Sequence, residues 1–303
     1  MYSVSFNSLG NLGRIGNQLF QLSALLFIAK ENKFDFLLPS PAEIEREDYI
    51  LHEIFDLSNL ISKNNFGISN FQDFDKNLIP NDIEYSNSYL NLERDTNLNG
   101  YFQSLQFIEP IKDLLIENLK FNNYIKKASE KILLQNNINS NEFSFIHIRR
   151  GDYLNKKAYH YNLDHTYYKK SINKFPKDRK FLIFSDDPAW CDENLNFENE
   201  TIIFNHLYKE NIQSNLKIGI ELYVMSICNG GIIANSSYSW WAAFLQNKKS
   251  QIVAPNKNAW FGYKYSFDAK GLIHENWTTC LPALPMFFVN LFKKKVFYKY
   301  VKT

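Results

Sequence analysis

Cysteine is scarce in this chain: Cys191, Cys228 and Cys280 are the only three among 303 residues. An odd, scattered set without paired spacing argues against a disulfide framework and against a structural zinc site. Long apolar runs are missing as well. The most apolar early stretch, Leu19 to Ala29, is too short to span a bilayer and is interrupted by Gln21 and Ser23. The opening residues carry no basic region followed by an apolar one, so no secretory signal is expected and a cytoplasmic, reducing compartment follows. Charge of one sign is not in excess. The chain holds 34 basic and 32 acidic residues, a net charge of +2, which makes no case for nucleic acid as a partner. Any anion chemistry must come from individual basic side chains.

What is present is an ordinary globular balance, 45% hydrophobic and 22% charged. That is enough for one large or two small domains with real cores. In the first half, Tyr2 to Phe6 reads as a strand, and a loop with Gly10, Gly13 and Gly16 follows. Gln18 to Lys30 then reads as a helix, and Phe34 to Leu38 as a strand stopped by Pro39. Pro41 to Asn99, rich in Asn, Asp and Glu, reads as loops with short helices. Glu109–Leu119 and Tyr124–Leu134 read as helices.

The second half is more regular. Apolar runs at Phe143–Ile148, Phe181–Phe184, Ile202–Phe204, Gly231–Ala234 and Ile252–Ala254 read as buried strands. Helical stretches lie between them, notably Leu216–Cys228 and Tyr238–Gln246. The alternation predicts a parallel sheet covered on both faces. A soft domain boundary falls near Ser140, giving a first domain over 1–140, a second over 141–280 and a tail over 281–303. The tail is apolar, aromatic and basic, and no acid occurs after Glu275. It is expected either to lie on an anionic membrane surface or to pack on the body with its lysines in solvent.

Chemistry concentrates in three segments that each follow a strand, where open α/β sheets bind ligands. The first is His147-Ile148-Arg149-Arg150-Gly151-Asp152-Tyr153. Its two arginines offer forked donors suited to phosphate oxygens. His147 can hydrogen-bond a base, a ribose or a phosphate, and Gly151 allows a sharp turn or a close approach. The second is Ser185-Asp186-Asp187-Pro188-Ala189-Trp190-Cys191. One of its carboxylates is expected to cap the following helix, while a carboxylate there can also accept from a nucleoside. Adjacent aspartates make a poor magnesium cage, and the Asp-x-Asp spacing is absent from this segment, so no metal is expected. The third is Asn235-Ser236-Ser237-Tyr238-Ser239-Trp240-Trp241. A helix start with small hydroxyl residues suits a diphosphate, and simple capping by Asn235 or Ser236 is compatible with that. Two weaker loop signals are Gly13–Gln21 and Gly100–Ser104.

Taken together, these segments resemble the α-1,2-fucosyltransferases, glycosyltransferase family 11, over residues from about 13 to 260. Arg14 stands where that family commonly carries a glycine or leucine. The resemblance implies a GT-B-like α/β fold, two Rossmann-like domains facing across a cleft, with the donor in the second. It implies metal-independent, inverting transfer of L-fucose, without a cofactor, from GDP-β-L-fucose to the 2-hydroxyl of a terminal galactose. The acceptor would be a glycan such as an O-antigen or capsule, free or lipid-linked, at the inner face of the membrane. Arg149 and Arg150 are assigned to the leaving diphosphate, helped by Ser236, Ser237 and the helix start behind them, and Asn235 is assigned to donor binding. His147, Ser185 and Asp186 are assigned to the guanosine. Asp152 is either the base or the group that orients the arginines, with Glu93 and Asp95 as alternatives. Asn17, Gln18, Tyr101 and Gln103 are expected to meet the acceptor. The competing readings are another fucosyl linkage, a non-catalytic sugar-nucleotide-binding protein, and an Arg-Gly-Asp adhesion ligand at Arg150–Asp152, which would need export.

Overall fold

A computed structural model describes residues 2–39, 46–62, 78–81, 85–208, 212–246, 250–265 and 269–301. The chain divides into two compact units, Met1–Asn123 and Tyr124–Thr303. The division falls before the boundary expected near Ser140, so the helix after Asn123 goes with the second unit. Each unit is α/β and built on a parallel sheet, the GT-B-like class that the resemblance implied.

The first unit begins with β1 (Ser3–Ser5), α1 (Ile15–Asn32) and β2 (Asp35–Leu37). Nearly every residue of α1 from Ile15 to Ala29 is buried, because leucines, alanines and aromatics occupy all sides of it. Then come α2 (Leu51–Ile54), β3 (Phe55–Asp56), α3 (Ser58–Ser62), β4 (Leu78–Asn81) and β5 (Thr96–Gly100), followed by α4 (Lys112–Asn118) and β6 (Lys120–Phe121). The sheet order is β2-β1-β5-β4, all parallel. This corrects the expectation of loops and short helices over Pro41–Asn99, since β4 and β5 lie there. The sequence of β5, Thr-Asn-Leu-Asn-Gly, shows no apolar alternation. Its polar side chains serve the strand instead: Asn97 Oδ1 accepts from Asn7 N–H at 3.0 Å, and Asn99 Oδ1 accepts from Ser8 Oγ at 2.9 Å. Residues 41–45, 63–77 and 82–84 of that stretch lie outside the described residues.

The second unit opens on α5 (Asn123–Gln135) and β7 (Phe143–Ile148), followed by α6 (His165–Ile172), β8 (Lys180–Ser185), α7 (Pro188–Asn194) and β9 (Thr201–Ile203). It closes with α8 (Ser214–Ile227), β10 (Gly231–Ile232), α9 (Ser237–Phe244), β11 (Ile252–Pro255), β12 (Thr278–Cys280) and α10 (Leu284–Val301). Its sheet order is β12-β11-β10-β7-β8-β9, parallel throughout. All six residues of β7 are buried, as a central parallel strand requires. On one face Ile146, Ile148, Ile183, Ile232 and Val253 form a core with Tyr167, Tyr168, Cys191 and Phe287. Strand alternation turns Phe145 and His147 to the other face, where the His147 ring lies 5.4 Å from that of Tyr238. Among the described residues no helix is long and apolar enough to cross a membrane.

The order of strands has a consequence for ligand binding. From β7 the chain runs outward through β8 and β9, then returns beside β7 with β10 and runs the other way. The crevice beyond the carboxyl ends of β7 and β10 is therefore the topological switch point, where open α/β sheets take their ligands.

Candidate active site

The three segments singled out in the sequence leave β7, β8 and β10 at the same edge of the second unit's sheet. After Ile148, Arg149 and Arg150 lead into a 3-10 turn over Gly151–Leu154. Two aspartates from the loop after β8 hold this turn. Asp186 accepts from the Arg150 backbone N–H and pairs with Arg149 Nη1, each at 2.8 Å. Asp187 accepts from Arg150 Nε at 3.0 Å and caps α7 by accepting from Trp190 N–H at 3.2 Å. So capping falls to Asp187, and Asp186 ties two loops together. Gly151 is a glycine because of that tie: a Cβ there would stand 2.6 Å from Asp186 Oδ2.

The two arginines differ in how they are held. Arg149 spends its terminal amines on carboxylates, Nη1 on Asp186 and Nη2 on Asp152. Arg150 is held by its Nε and by its flat face, with Cζ 4.0 Å from the Trp190 ring centroid. Among the described residues no hydrogen bond engages Arg150 Nη1 or Nη2. Two forked donors are thus not consumed, in the loop that leaves β7 at the sheet edge.

Asp152 also pairs with Lys156, at 3.6 Å. Partial burial works against its ionisation, but Arg149, with Lys156 and His160 behind it, outweighs this and holds the carboxyl below its usual range. Tyr153 stacks on His160 with ring centroids 3.9 Å apart and donates from its hydroxyl to Asn235 O at 3.1 Å. Burial pushes the Tyr153 hydroxyl up to about 12, so it remains a donor. Burial, with Lys156 and Arg149, brings His160 down to about 4 against the pull of Asp152. His147 is brought down to about 3 by burial and by Arg149, so its imidazole is neutral near pH 7.

On the β10 side, Asn235 donates from Nδ2 to Tyr161 O and Trp260 O, both at 2.7 Å. Ser236 is the first residue before α9 and makes no side-chain cap bond to that helix. Ser237, half-buried, starts it. Two buried polar atoms in this neighbourhood, His147 Nδ1 and Asn235 Oδ1, have no hydrogen-bond partner. An unmade bond on a buried polar atom costs about 1–3 kcal/mol, so both are expected to gain from a bound ligand. Ser185 is buried, and its Oγ accepts from Asp187 N–H at 2.9 Å.

Behind Ser185 stands a group that sequence reading missed. Asn205 Oδ1 accepts from Ser185 N–H at 3.1 Å, and Asn205 Nδ2 donates to Glu221 Oε1, also at 3.1 Å. Tyr208 donates to the same oxygen at 3.1 Å. Burial pushes the Glu221 carboxyl up to about 7, against Lys217 and Tyr208, which favour its charged form. The only hint in the sequence is an acid in the middle of the apolar helix Leu216–Cys228. Trp190 carried a signal too, since it lies within the Ser185–Cys191 segment.

The residues expected to meet an acceptor lie in the first unit. Gln103 Nε2 donates to Asn17 Oδ1 at 2.8 Å, and Tyr101 is half-buried nearby in sequence. Gln18 is buried and tied to backbone: its Nε2 donates to Asp48 O and its Oε1 accepts from Ile50 N–H at 3.3 Å. Gly13, at φ +87°, leaves room for Asn17, whose Nδ2 would lie 2.0 Å from a Cβ there. Glu93 and Asp95 are exposed, and Asp95 Oδ1 accepts from Ser3 N–H at 2.8 Å. Among the described residues no group of three or more His, Cys, Asp or Glu could hold a metal ion.

A family model described as glycosyl transferase family 11 matches residues 3–279. The O-antigen biosynthesis glycosyltransferase WbnK of Escherichia coli is 28% identical over 223 residues, covering 70% of this chain and 67% of that protein. An alpha-1,2-colitosyltransferase of Escherichia coli is 33% identical over 173 residues, covering 54% of this chain and 55% of that protein. The galactoside alpha-(1,2)-fucosyltransferase 2 of Pongo pygmaeus is 22% identical over 249 residues, covering 77% of this chain and 67% of that protein. The matches thus span between 55% and 67% of these relatives' own length.

Proposed function

The chain belongs to glycosyl transferase family 11, and from that premise we propose that it transfers L-fucose from GDP-β-L-fucose to the 2-hydroxyl of a terminal galactose in a glycan. In this reading the second unit binds the donor and the first binds the acceptor. The observation that carries it is Arg150, held by Asp187 and Trp190 with both terminal amines unused, at the switch point between β7 and β10.

The acceptor oxygen attacks C1 of the fucose from the face opposite the diphosphate. The C1–O bond to the β-phosphate breaks, its electron pair leaves with GDP, and the hydroxyl proton passes to a base. Attack from the opposite face turns the β-linked donor into an α-linked product. Charge grows on the β-phosphate as the bond breaks, and aimed donors act most strongly there. Arg150 is assigned that task, with Ser236, Ser237 and the start of α9 beside it. Arg149 and Asp186 set the position of Arg150. Asp152 is assigned to orienting Arg149, since a carboxylate held by two cations is a weak base. His147 Nδ1 and Asn235 Oδ1 are assigned to the nucleotide, with Ser185 shaping the loop. Metal independence is supported by the engagement of Asp186 and Asp187 with arginine donors.

The test begins with thermal shifts under GDP, UDP and GDP-fucose, followed by GDP release with lactose in the presence of a chelator. GDP-fucose and GDP are expected to stabilise the protein, and the product to carry an α-1,2 linkage. Preferential stabilisation by UDP would overturn the reading. The relative at 33% identity is named for colitose, so a nucleotide-linked colitose is the comparison donor, and faster transfer from it would correct the sugar while leaving the site. Another linkage in the product would correct the acceptor hydroxyl.

A further inference from the structure

Helix α10 carries apolar side chains on two opposite sides. On one side Phe287 and Leu291 join the core of the second unit, and Asn290 donates from Nδ2 to Asn258 O and Phe261 O, both at 3.3 Å. That side is fully explained by packing. On the other, Phe288, Phe292 and Val296 recur every fourth residue and are 59%, 68% and 40% exposed. Val289 is exposed beside them. At about 100° per residue, Val289, Phe288, Phe292 and Val296 fall within an arc roughly 100° wide, centred about opposite the body-facing side. Lys295 and Lys293, both exposed, lie on the two flanks of this arc. Lys293 Nζ also sits 5.4 Å from the Tyr263 ring, which anchors it to the body side.

We propose that this face of α10 is a docking surface for an anionic lipid bilayer, on which the helix lies in the plane of the interface. Two large aromatic side chains in water are unfavourable by the apolar area they expose, and an outward stripe of this kind marks an interaction site. The charges around it select the occupant. The segment after Glu275 has five lysines, Lys293, Lys294, Lys295, Lys299 and Lys302, and no acid. A second copy of this helix brings only more lysines, with no carboxylate to meet them. An anionic headgroup layer meets both features at once: acyl chains take the phenylalanines, and phosphates take the flanking lysines. The helix does not cross the bilayer, being docked on the protein along its inner side. The proposal stands on α10 alone and is independent of the donor and acceptor read above.

The experiment is co-sedimentation of the full chain with vesicles of phosphatidylcholine alone and with phosphatidylglycerol added. The expected result is binding to the phosphatidylglycerol vesicles, released by salt, and about tenfold or weaker binding to phosphatidylcholine alone. Phe288→Ser with Phe292→Ser, and separately Lys293→Gln with Lys295→Gln, are each expected to weaken binding about tenfold or more. Both pairs are on the surface, so the melting temperature should stay as in the parent, which separates loss of docking from loss of fold. Equal binding to the two vesicle types, or none to the anionic one at low salt, overturns the proposal. A dimer in light scattering that the phenylalanine pair abolishes, without vesicle binding, overturns it in favour of a second copy.

Discussion

The guanidinium of Arg150 lies against the ring of Trp190, with Cζ 4.0 Å from the ring centroid, while its Nε donates to Asp187 at 3.0 Å. Stacking on one face and a single bond at Nε fix the plane of the group and leave its fork without a hydrogen bond among the described residues. A lysine has neither the plane nor the fork. Arg150→Ala is therefore expected to lower kcat by about 10²–10³, the effect typical of losing one aimed donor to a developing charge. Arg150→Lys is expected to fall nearly as far. Melting temperature and GDP release with lactose check both, and near-normal turnover in either variant would remove Arg150 from the chemistry.

Asp152 offers a sharper choice. If it accepts the acceptor's proton, Asp152→Asn costs about 10²–10⁴ in rate. If it orients Arg149, as its pairing with Arg149 and Lys156 indicates, the loss is about tenfold or less, and the acid limb of the pH profile does not move. The pH dependence of kcat/KM in the variant decides between them.

Gly151 faces the carboxylate of Asp186, and an added Cβ would stand 2.6 Å from Oδ2. Gly151→Ala is expected to push Asp186 off the Arg150 N–H and off Arg149. Donor KM should rise about tenfold while the melting temperature changes by only a few degrees, since the displaced groups sit at the sheet edge and not in the core. An unchanged KM would show that Asp186 does not set the arginine loop.

Glu221 should make stability depend on pH. Its folded-state carboxyl is raised to about 7, so between the ordinary carboxylate range and about pH 7 the folded chain binds more protons than the unfolded one. Stability then falls as pH rises through that window. Glu221→Gln keeps an acceptor for Tyr208 and Asn205 and does not ionise. The variant is expected to match the parent near pH 4.5 and to exceed it by about 2–3 kcal/mol at pH 8. Denaturant unfolding at the two pH values checks this, and a gap that does not grow with pH sinks it.

Much of the second unit was legible because its signals are local. Phe143–Ile148 is a continuous apolar run, which a strand buried on both faces demands, and the arginines follow it directly. The first unit was less so. Strand β5 is polar, held by Asn97 and Asn99 to the chain around Asn7 and Ser8, and apolar periodicity cannot report a strand of that kind. Gln18 is expected to meet the acceptor, yet it is buried and its amide is engaged by the backbone at Asp48 and Ile50.

The sequence by itself determined that the arginines follow β7 and the paired aspartates follow β8, and that a forked cation and a helix start stand ready for an anion. These follow from consecutive residues whose backbone preferences and side-chain chemistry do not depend on distant partners. Only the tertiary structure decided which aspartate caps and which pairs, that Trp190 backs Arg150, and that Asn205 links Ser185 to Glu221. It also decided that β10 returns beside β7 to make the switch point. Those relations join side chains that lie far apart in sequence or are brought together only by strand order, and local pattern carries no record of either.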